Sequence, residues 1–318
     1  MDIVHNQTRA NPATCIIKMK RKTKTGLVLW LMSIPFFVFV MIFYFVPLLG
    51  WSMAFVRYIP GVPIFESHFV GFKYFKAMFS YGSDLPRVIA NTLAMGFLSI
   101  LSAPLPMVLA ILLSEVKRLK IKKFIQTTVA LPNFISMIIV YSIFFSFLSV
   151  DGGFINDILL KLNLIDKPTN LLANEGATWY FQTFVGIWKG VGWGAIIYLG
   201  AITAIDPQLY DAANVDGASR FRQALHVTLP GLMPTFCVLL LLGVGNLLSS
   251  NFEQVYVFHN AIVHNKIETL DYYTYRIGLV NFDFSLSTAI GVFKSVTSLT
   301  LLFLVNLIIK KINGHSII

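Results

Sequence analysis

The sequence predicts an all-α polytopic membrane protein with six transmembrane helices. Of its 318 residues 56% are apolar and only 13% are charged, whereas soluble domains carry about 25% charged residues. Mean hydropathy is +0.71. Helices are predicted because only helices and closed barrels satisfy their backbone in lipid, and no barrel-like alternation is visible. Six apolar stretches are long enough to cross the hydrocarbon, and they lie near 27–49, 87–114, 124–149, 179–204, 232–250 and 285–309.

The first stretch is predicted to be a retained span rather than a cleaved signal peptide. It is longer than a signal-peptide core and lacks a small-x-small exit before the next charged loop. Pro35 and Pro47 lie within it, and membrane helices tolerate proline.

The basic residues predict which side each loop faces. They cluster in the tail 1–26, in the connection 117–123, at Arg220 and Arg222, and at the C-terminal end of the last span. These loops all fall on one side of a six-span topology. The positive-inside rule therefore predicts that both termini are cytoplasmic, with the clusters beside anionic lipid.

The cytoplasmic connection 205–231 does not have the composition of a simple loop. Asp206 followed by Pro207 predicts a helix start, and Gly217 predicts its end. A second short helix is expected from Ala218 to His226, broken by Leu229–Pro230 before the fifth span. Such a protrusion suits docking by another protein, and a solvated hairpin between two spans is the alternative.

This connection resembles the cytoplasmic motif of bacterial ABC importer permeases, which has the form E-A-A-x3-G-x9-I-x-L-P. The chain reads Asp211-Ala212-Ala213, then Gly217, then Val227-Thr228-Leu229-Pro230, at the same spacing throughout. Asp211 replaces the glutamate and Val227 the isoleucine. Further segments, 186–199, 251–260, 273–276 and 291–295, look like the LplB-like polysaccharide-uptake subfamily within the MalF-type carbohydrate permeases.

The resemblance implies a type I ABC importer permease fold over residues 27–318. It implies a second homologous permease, two cytoplasmic ATPase subunits, an extracytoplasmic solute-binding protein and an oligosaccharide substrate, with acidic polysaccharide fragments as one candidate class. The chain has no phosphate-binding loop of its own, so ATP and Mg would bind the ATPase partners, and this chain is expected to be neither an enzyme nor a nucleic-acid binder. The expected location is the bacterial cytoplasmic membrane. The residues expected to couple to the ATPases are Asp211, Ala212, Ala213, Asp216, Gly217, Arg220, Arg222, Leu229 and Pro230.

Candidate substrate-pathway residues are polar or aromatic side chains within or beside the spans. An intramembrane lysine suggests function by default, and aromatic faces suit sugar rings. For each, packing or internal hydrogen bonding is the alternative, and Lys294 is also a candidate ion-pair partner of Glu253 or Asp283. The candidates are Trp188, Lys189, Trp193, Asn246, Asn251, Glu253 and Lys294.

Other function classes remain as rivals. An ABC permease for peptides or amino acids would share the cytoplasmic motif. A stand-alone secondary transporter would use Lys189 and Lys294 as ion-coupled charges, but it leaves the motif loop unexplained. An intramembrane enzyme is disfavoured because Asp and Glu are nearly absent from the spans. No metal site is expected, since His259 and His264 are interpreted as exposed loop residues.

Overall fold

The computed structural model describes residues 12–80, 82–249 and 251–313. Five helical stretches are long and apolar enough to cross a membrane, and a sixth span is bent. The first eleven residues of the predicted basic tail lie outside the described residues, and the first helix begins at Pro12. The spans are span one, Pro12–Val40 running on through Met41–Phe45 and Val46–Phe55; span two, Leu85–Ser102 and Pro104–Ser114; span three, Leu119–Ala130 and Met137–Leu148; span four, Thr178–Thr203; span five, Arg220–Gly245; and span six, Phe284–Asn313.

Span three, predicted near 124–149, consists of two helices and is bent at Pro132. Its two halves meet at an angle of 103°. Between them lies the 3-10 turn Leu131–Phe134, which contains Pro132, and the side chain of Ser136 caps the second half by accepting from the Ile139 amide. A proline in a tight turn followed by a fresh helix start explains the bend.

Span five also differs from its prediction. Leu229–Pro230 does not end the helix, which continues from Arg220 to Gly245. A five-residue π turn, Ala224–Thr228, stands directly before the proline, and such a turn shifts the hydrogen-bond register where proline lacks its N–H. The span ends at Gly245, earlier than the predicted 250.

The two ends of the helix bundle are built differently. One end, termed the loop end, carries the helix Pro207–Val215. The other, termed the far end, carries most of the remaining structure, including an antiparallel strand pair. Its elements are the strands Val56–Arg57 and His68–Phe69, the 3-10 turns Ile64–Glu66 and Leu171–Ala173, and the helices Lys73–Ala77, Phe154–Lys161, Phe252–Phe258, His264–Ile267 and Leu270–Tyr275, the last running on through Arg276–Val280.

Three apolar clusters hold the bundle together. One joins the end of span one to spans two and six through Leu85, Leu270 and Ile290. A second joins span three to span four, and a third joins spans two, four and five around Tyr198. Span one takes little part, since no residue in its most apolar window is buried. That helix therefore needs lipid or another protein along its length.

Span four crosses the first half of span three at backbone contact. A Cβ added to Gly192 would lie 2.1 Å from the Val129 carbonyl oxygen. Only glycine permits that approach, which is the use of small residues at membrane helix crossings. Gly190, one half-turn away, has nothing within 4 Å of its added Cβ, so the same helix is closely packed on one face and open on another.

Candidate functional site

The loop-end helix is built as the sequence predicts. The Asp206 carboxylate accepts from the Gln208 amide at 2.9 Å, and Pro207 occupies the first turn. Gly217 ends the helix with a φ of +72°, while the Ala218 amide donates back to the Ala213 carbonyl at 2.9 Å. A left-handed residue with this backward bond is a regular helix termination, so the motif glycine serves a backbone need.

Side-chain bonds hold this helix to the spans. The Tyr210 and Thr228 hydroxyls lie 2.9 Å apart, which ties the helix to span five. Gln223 donates to the Asn214 side chain at 2.6 Å. These contacts connect the loop-end helix directly to span five.

The outer surface of the loop end combines apolar and charged groups. Leu209 is 53% exposed, Val215 89% and Phe221 77%. Arg220 pairs with Glu115 of the span-two end at 3.3 Å. Exposed apolar side chains beside charges are typical of protein interaction sites. Of the nine predicted coupling residues, Ala213 and Leu229 are half-buried and the others are exposed, namely Asp211, Ala212, Asp216, Gly217, Arg220, Arg222 and Pro230.

A cavity of about 560 Å³ lies between spans two, four and five and the helix Phe252–Phe258. Span four presents a glycine stripe to it, Gly186, Gly190 and Gly194. No charged side chain is among its described lining residues. Its polar groups are the hydroxyls and amides of Ser99, Ser102, Gln182, Thr183, Tyr198, Asn246, Ser249, Asn251 and Gln254.

Two of the seven predicted pathway residues line this cavity, Asn246 and Asn251. The Asn246 amide also donates to the Leu242 carbonyl at 3.0 Å, and Asn251 stands at the start of the helix Phe252–Phe258. Glu253, on the same short helix, is exposed outside the cavity.

Lys189 lies outside the cavity and is bound internally. Its ammonium group donates to the carbonyls of Pro132 at 3.4 Å and Asn133 at 3.0 Å, and also to Ile135. The bend in span three frees these carbonyls, because its helix stops there. The lysine ammonium group thus gains hydrogen-bond acceptors, and the carbonyls that the helix leaves unpaired gain a donor. Polar groups inside a membrane protein need such partners.

The two tryptophans also lie outside the cavity lining. Trp188 packs edge-on to Phe144 with ring centroids 5.7 Å apart and belongs to the cluster between spans three and four. Trp193 is 48% exposed and packs edge-on to Phe134. Trp188 therefore contacts the second half of the bent span three, and Trp193 contacts the turn between its two halves.

Lys294 forms an ion pair that was not predicted. Its ammonium group contacts Asp271 on the helix Leu270–Tyr275, so the expected pairing with Glu253 or Asp283 is wrong. The reason is geometric, since Leu270–Val280 runs back beside the start of span six and brings Asp271 level with Lys294. The pair removes two isolated charges from apolar surroundings.

The far end contains a buried charge cluster. The Glu268 side chain has no exposed surface and accepts from Arg87 at 2.9 Å and from Arg276 at 2.7 Å. Asp84 completes it at 3.0 Å from Arg276. Burial raises the pKa of Asp84, but hydrogen bonds and charge from Arg276 and Arg87 outweigh burial and hold that pKa below its usual value.

The two histidines extend the cluster and are not the exposed loop residues expected. Their rings are hydrogen-bonded at 2.9 Å, His264 lies 3.5 Å from Glu268, and His259 stacks on Tyr272. Burial, with a smaller contribution from His264, lowers the pKa of His259. No group of three or more metal-ligating side chains occurs among the described residues.

Sequence reasoning missed two sets of residues. Gln182 and Gln254 bring amides to the cavity wall, and an amide inside an apolar span was a usable signal. Arg87, Glu268 and Arg276 form the far-end cluster, and they are too far apart in sequence for a single chain to reveal their contact.

The comparisons with known proteins define the class. Residues 102–314 match the family model described as the inner membrane component of binding-protein-dependent transport systems. The chain belongs to this family, and it is a multi-pass membrane protein and a transport permease component.

Two relatives and one solved structure are similar over most of the chain. The polygalacturonan/rhamnogalacturonan transport system permease protein YteP of Bacillus subtilis (strain 168) is 39% identical, covering 98% of both chains. Protein LplB of the same organism is 40% identical over 91% of this chain and 90% of its own. A chain of a bacterial alginate ABC transporter, solved with its alginate pentasaccharide-bound periplasmic protein, superposes with a TM-score of 0.84 at 32% identity, over 93% of this chain and 99% of that one. The expected type I permease fold and LplB-like resemblance are confirmed.

Proposed function

We propose that this chain is one permease subunit of an ATP-driven importer that moves oligosaccharides from a solute-binding protein into the bacterial cytoplasm. The observation that carries the proposal is full-length similarity to a permease named for polygalacturonan and rhamnogalacturonan transport. The exposed loop-end helix supports it, because Asp211 and Ala212 of the motif lie on its exposed surface, as docking by another subunit requires. Both termini then lie in the cytoplasm.

A second, homologous permease completes the translocation path. Span one is apolar and unburied over its whole candidate window, which leaves a long helical surface for a partner as well as for lipid. The cavity is walled by spans two, four and five, and its remaining side is supplied by the second permease. Glycines along span four keep that side open.

Two ATPase subunits bind the loop ends of the two permeases and supply ATP and Mg, while this chain hydrolyses nothing. Closure of the ATPases pushes on Pro207–Val215. The Tyr210–Thr228 and Gln223–Asn214 bonds pass this push to span five, which lines the cavity. Alternation between inward- and outward-facing states follows if ATP favours one state and substrate release the other.

The cavity chemistry favours a hydroxyl-rich, uncharged contact surface. Its described lining offers amides and hydroxyls among apolar walls. A few placed polar groups orient a ligand in such a pocket, and these groups can pair with sugar hydroxyls. The two membrane lysines are engaged by carbonyls and by Asp271, so this chain does not hold a uronate carboxylate through them. For an acidic oligosaccharide, other subunits of the complex bind the sugar carboxylates.

The rival functions have less support. A secondary transporter driven through Lys189 and Lys294 needs those charges in the path, and both are bound outside the cavity lining. A peptide or amino-acid permease would share the loop-end motif, but the relative similar over 98% of the chain is named for polygalacturonan and rhamnogalacturonan transport. A nucleic-acid binder is also disfavoured, because the basic residues lie in short clusters between the spans.

Copurification and uptake test the proposal together. The tagged chain is expressed with its operon neighbours, and the isolated complex is placed in proteoliposomes with the binding protein. We expect a second permease and ATPases to copurify, and ATP to drive uptake of a galacturonan or galactan trisaccharide but not of a tripeptide. A chain that purifies alone, or uptake that needs an ion gradient and no ATP, contradicts the proposal.

A further inference from the structure

Two glutamines form a buried amide pair in the cavity wall. Gln182 lies on span four and Gln254 on the helix Phe252–Phe258, and they are 6% and 5% exposed. The Gln254 Nε2 group donates to both the main-chain carbonyl and the side-chain oxygen of Gln182, each at 2.7 Å. A main-chain carbonyl only accepts, so these contacts fix which atom of each amide is nitrogen.

Two of the four polar side-chain atoms of the pair make no hydrogen bond among the described residues. Gln254 Nε2 has spent both of its hydrogens, but Gln182 Nε2 donates to no group, and Gln254 Oε1 accepts from none, among the described residues. Neither atom is sealed from accessible space. Leaving an amide donor and an acceptor unpaired at buried residues costs free energy, unless something in the cavity completes them.

The free groups lie beside the cavity at the glycine stripe. Both residues line it, and a Cβ on Gly186 would lie 3.8 Å from Gln254 Oε1, so the oxygen stands over a position without a side chain. A sugar hydroxyl donates and accepts at once. The pair therefore offers the cavity one amide donor and one amide acceptor, which can bind one hydroxyl each or together bind a single hydroxyl.

We propose that Gln182 and Gln254 together form a hydroxyl-recognition site that contacts the sugar during passage and sets which ring positions are accepted. The inference rests on the proposed function, and it adds a residue-level specificity determinant to it. Because no charged side chain lines the described cavity wall, the site recognises the positions of sugar hydroxyls and not a carboxylate.

The test uses the complete transporter in proteoliposomes with its binding protein. Uptake of a galacturonan or galactan trisaccharide, whichever the complex transports, is compared with that of its monodeoxy analogues. Rates are taken at saturating sugar, so that the affinity of the binding protein cancels. We expect removal of one particular hydroxyl to slow uptake by the wild type about tenfold, the size of one neutral hydrogen bond.

Gln182→Leu is the main variant, because the bond from Gln254 to the Gln182 main-chain carbonyl survives it and the helix contact is retained. We expect it to slow the parent sugar about tenfold and to abolish the difference between parent and deoxy analogue. Gln254→Leu is the second variant and is expected to remove the same difference. Gln126→Leu, on the first half of span three and outside the cavity, is the control and should behave as wild type.

The outcomes separate this inference from the proposed function. Uptake that keeps its preference for the intact sugar in both variants overturns the site, and so does a uniform slowing of all sugars, which is what a purely structural role produces. If the wild type discriminates against no deoxy analogue, the site is also overturned while the importer stands. If the wild type moves no oligosaccharide, the proposed function itself fails, and the hydroxyl site fails with it.

Discussion

The loop end and the far end of this permease handle their charges in opposite ways. At the loop end most charged groups are exposed, and the Arg220–Glu115 pair, the one ion pair found there among the described residues, has its side chains 58% and 41% exposed. At the far end Glu268 has no exposed surface and bonds two arginines. Exposed pairs contribute about 0–1 kcal/mol, whereas breaking a buried pair is strongly destabilising.

The difference indicates what each end is built to do. The loop-end helix is joined to span five by a few hydrogen bonds, so it can be engaged and displaced by a partner. The far-end cluster connects span two to the segment that carries the cavity-lining helix and thereby fixes that segment. Under the proposed function, the loop end receives the force from the ATPases and the far end holds the cavity-lining helix in place.

Loss of the buried carboxylate should have the largest effect. Glu268→Gln leaves Arg87 and Arg276 without their main counter-charge, and we expect the free energy of unfolding to fall by about 3 kcal/mol. Thermal unfolding in detergent measures this change. Glu253→Gln, in the same far-end region but exposed, is the control and should melt at the wild-type temperature. Equal melting temperatures for the two variants would show that the buried far-end cluster contributes no more stability than an exposed charge.

Strain at the loop end should affect coupling rather than folding. Gly217→Val places a β-branched residue at a φ of +72°, which costs about 1–3 kcal/mol locally and misplaces the helix end. We expect uptake per ATP hydrolysed to fall about tenfold with little change in melting temperature.

Gly152→Val is the matched control for that experiment. Gly152 has a φ of +70°, and its added Cβ also meets nothing within 4 Å, but it lies at the far end beside the helix Phe154–Lys161. Its coupling ratio should stay at the wild-type value. If both valine variants uncouple equally, the loss reflects general strain and the special role of Gly217 is disproved.

Acidification should have the smallest effect, confined to the far end. The folded pKa of His259 lies below its ordinary value of 6.5, so the unfolded chain binds the proton more readily. Stability is therefore full above that value and declines as pH falls through 6.5 towards the folded pKa. Asp84, whose pKa is lowered from 3.8, adds its loss only in more acidic solution.

Melting temperatures from pH 8 to pH 5 test this expectation. His259→Gln should flatten the decline, while His226→Gln at the loop end, where the ring contacts the Arg222 carbonyl, should retain it. An unchanged slope in His259→Gln would show that another group titrates in this range.

Local patterns in the sequence predicted much of the fold. Apolar runs located the spans, Asp206 and Gly217 predicted the helix start and end, and motif spacing identified the family. The sequence did not predict what depends on distant partners. The 103° angle between the two halves of span three depends on packing around Pro132, so the carbonyls that bind Lys189 were not foreseen. Arg87 and Glu268 are 181 positions apart, and their contact arises from packing that no local pattern specifies.

Amide hydrogen exchange across residues 207–217 tests the central claim most directly. The exchange is measured in the permease pair alone and again after the ATPase subunits are bound, with residues 264–276 of the far end as an internal reference. The account predicts that the loop-end helix exchanges rapidly in the permease pair and about tenfold more slowly once the ATPases dock, while the far end is unchanged. Loop-end amides that exchange equally fast in both samples, with the ATPases demonstrably bound, would contradict it.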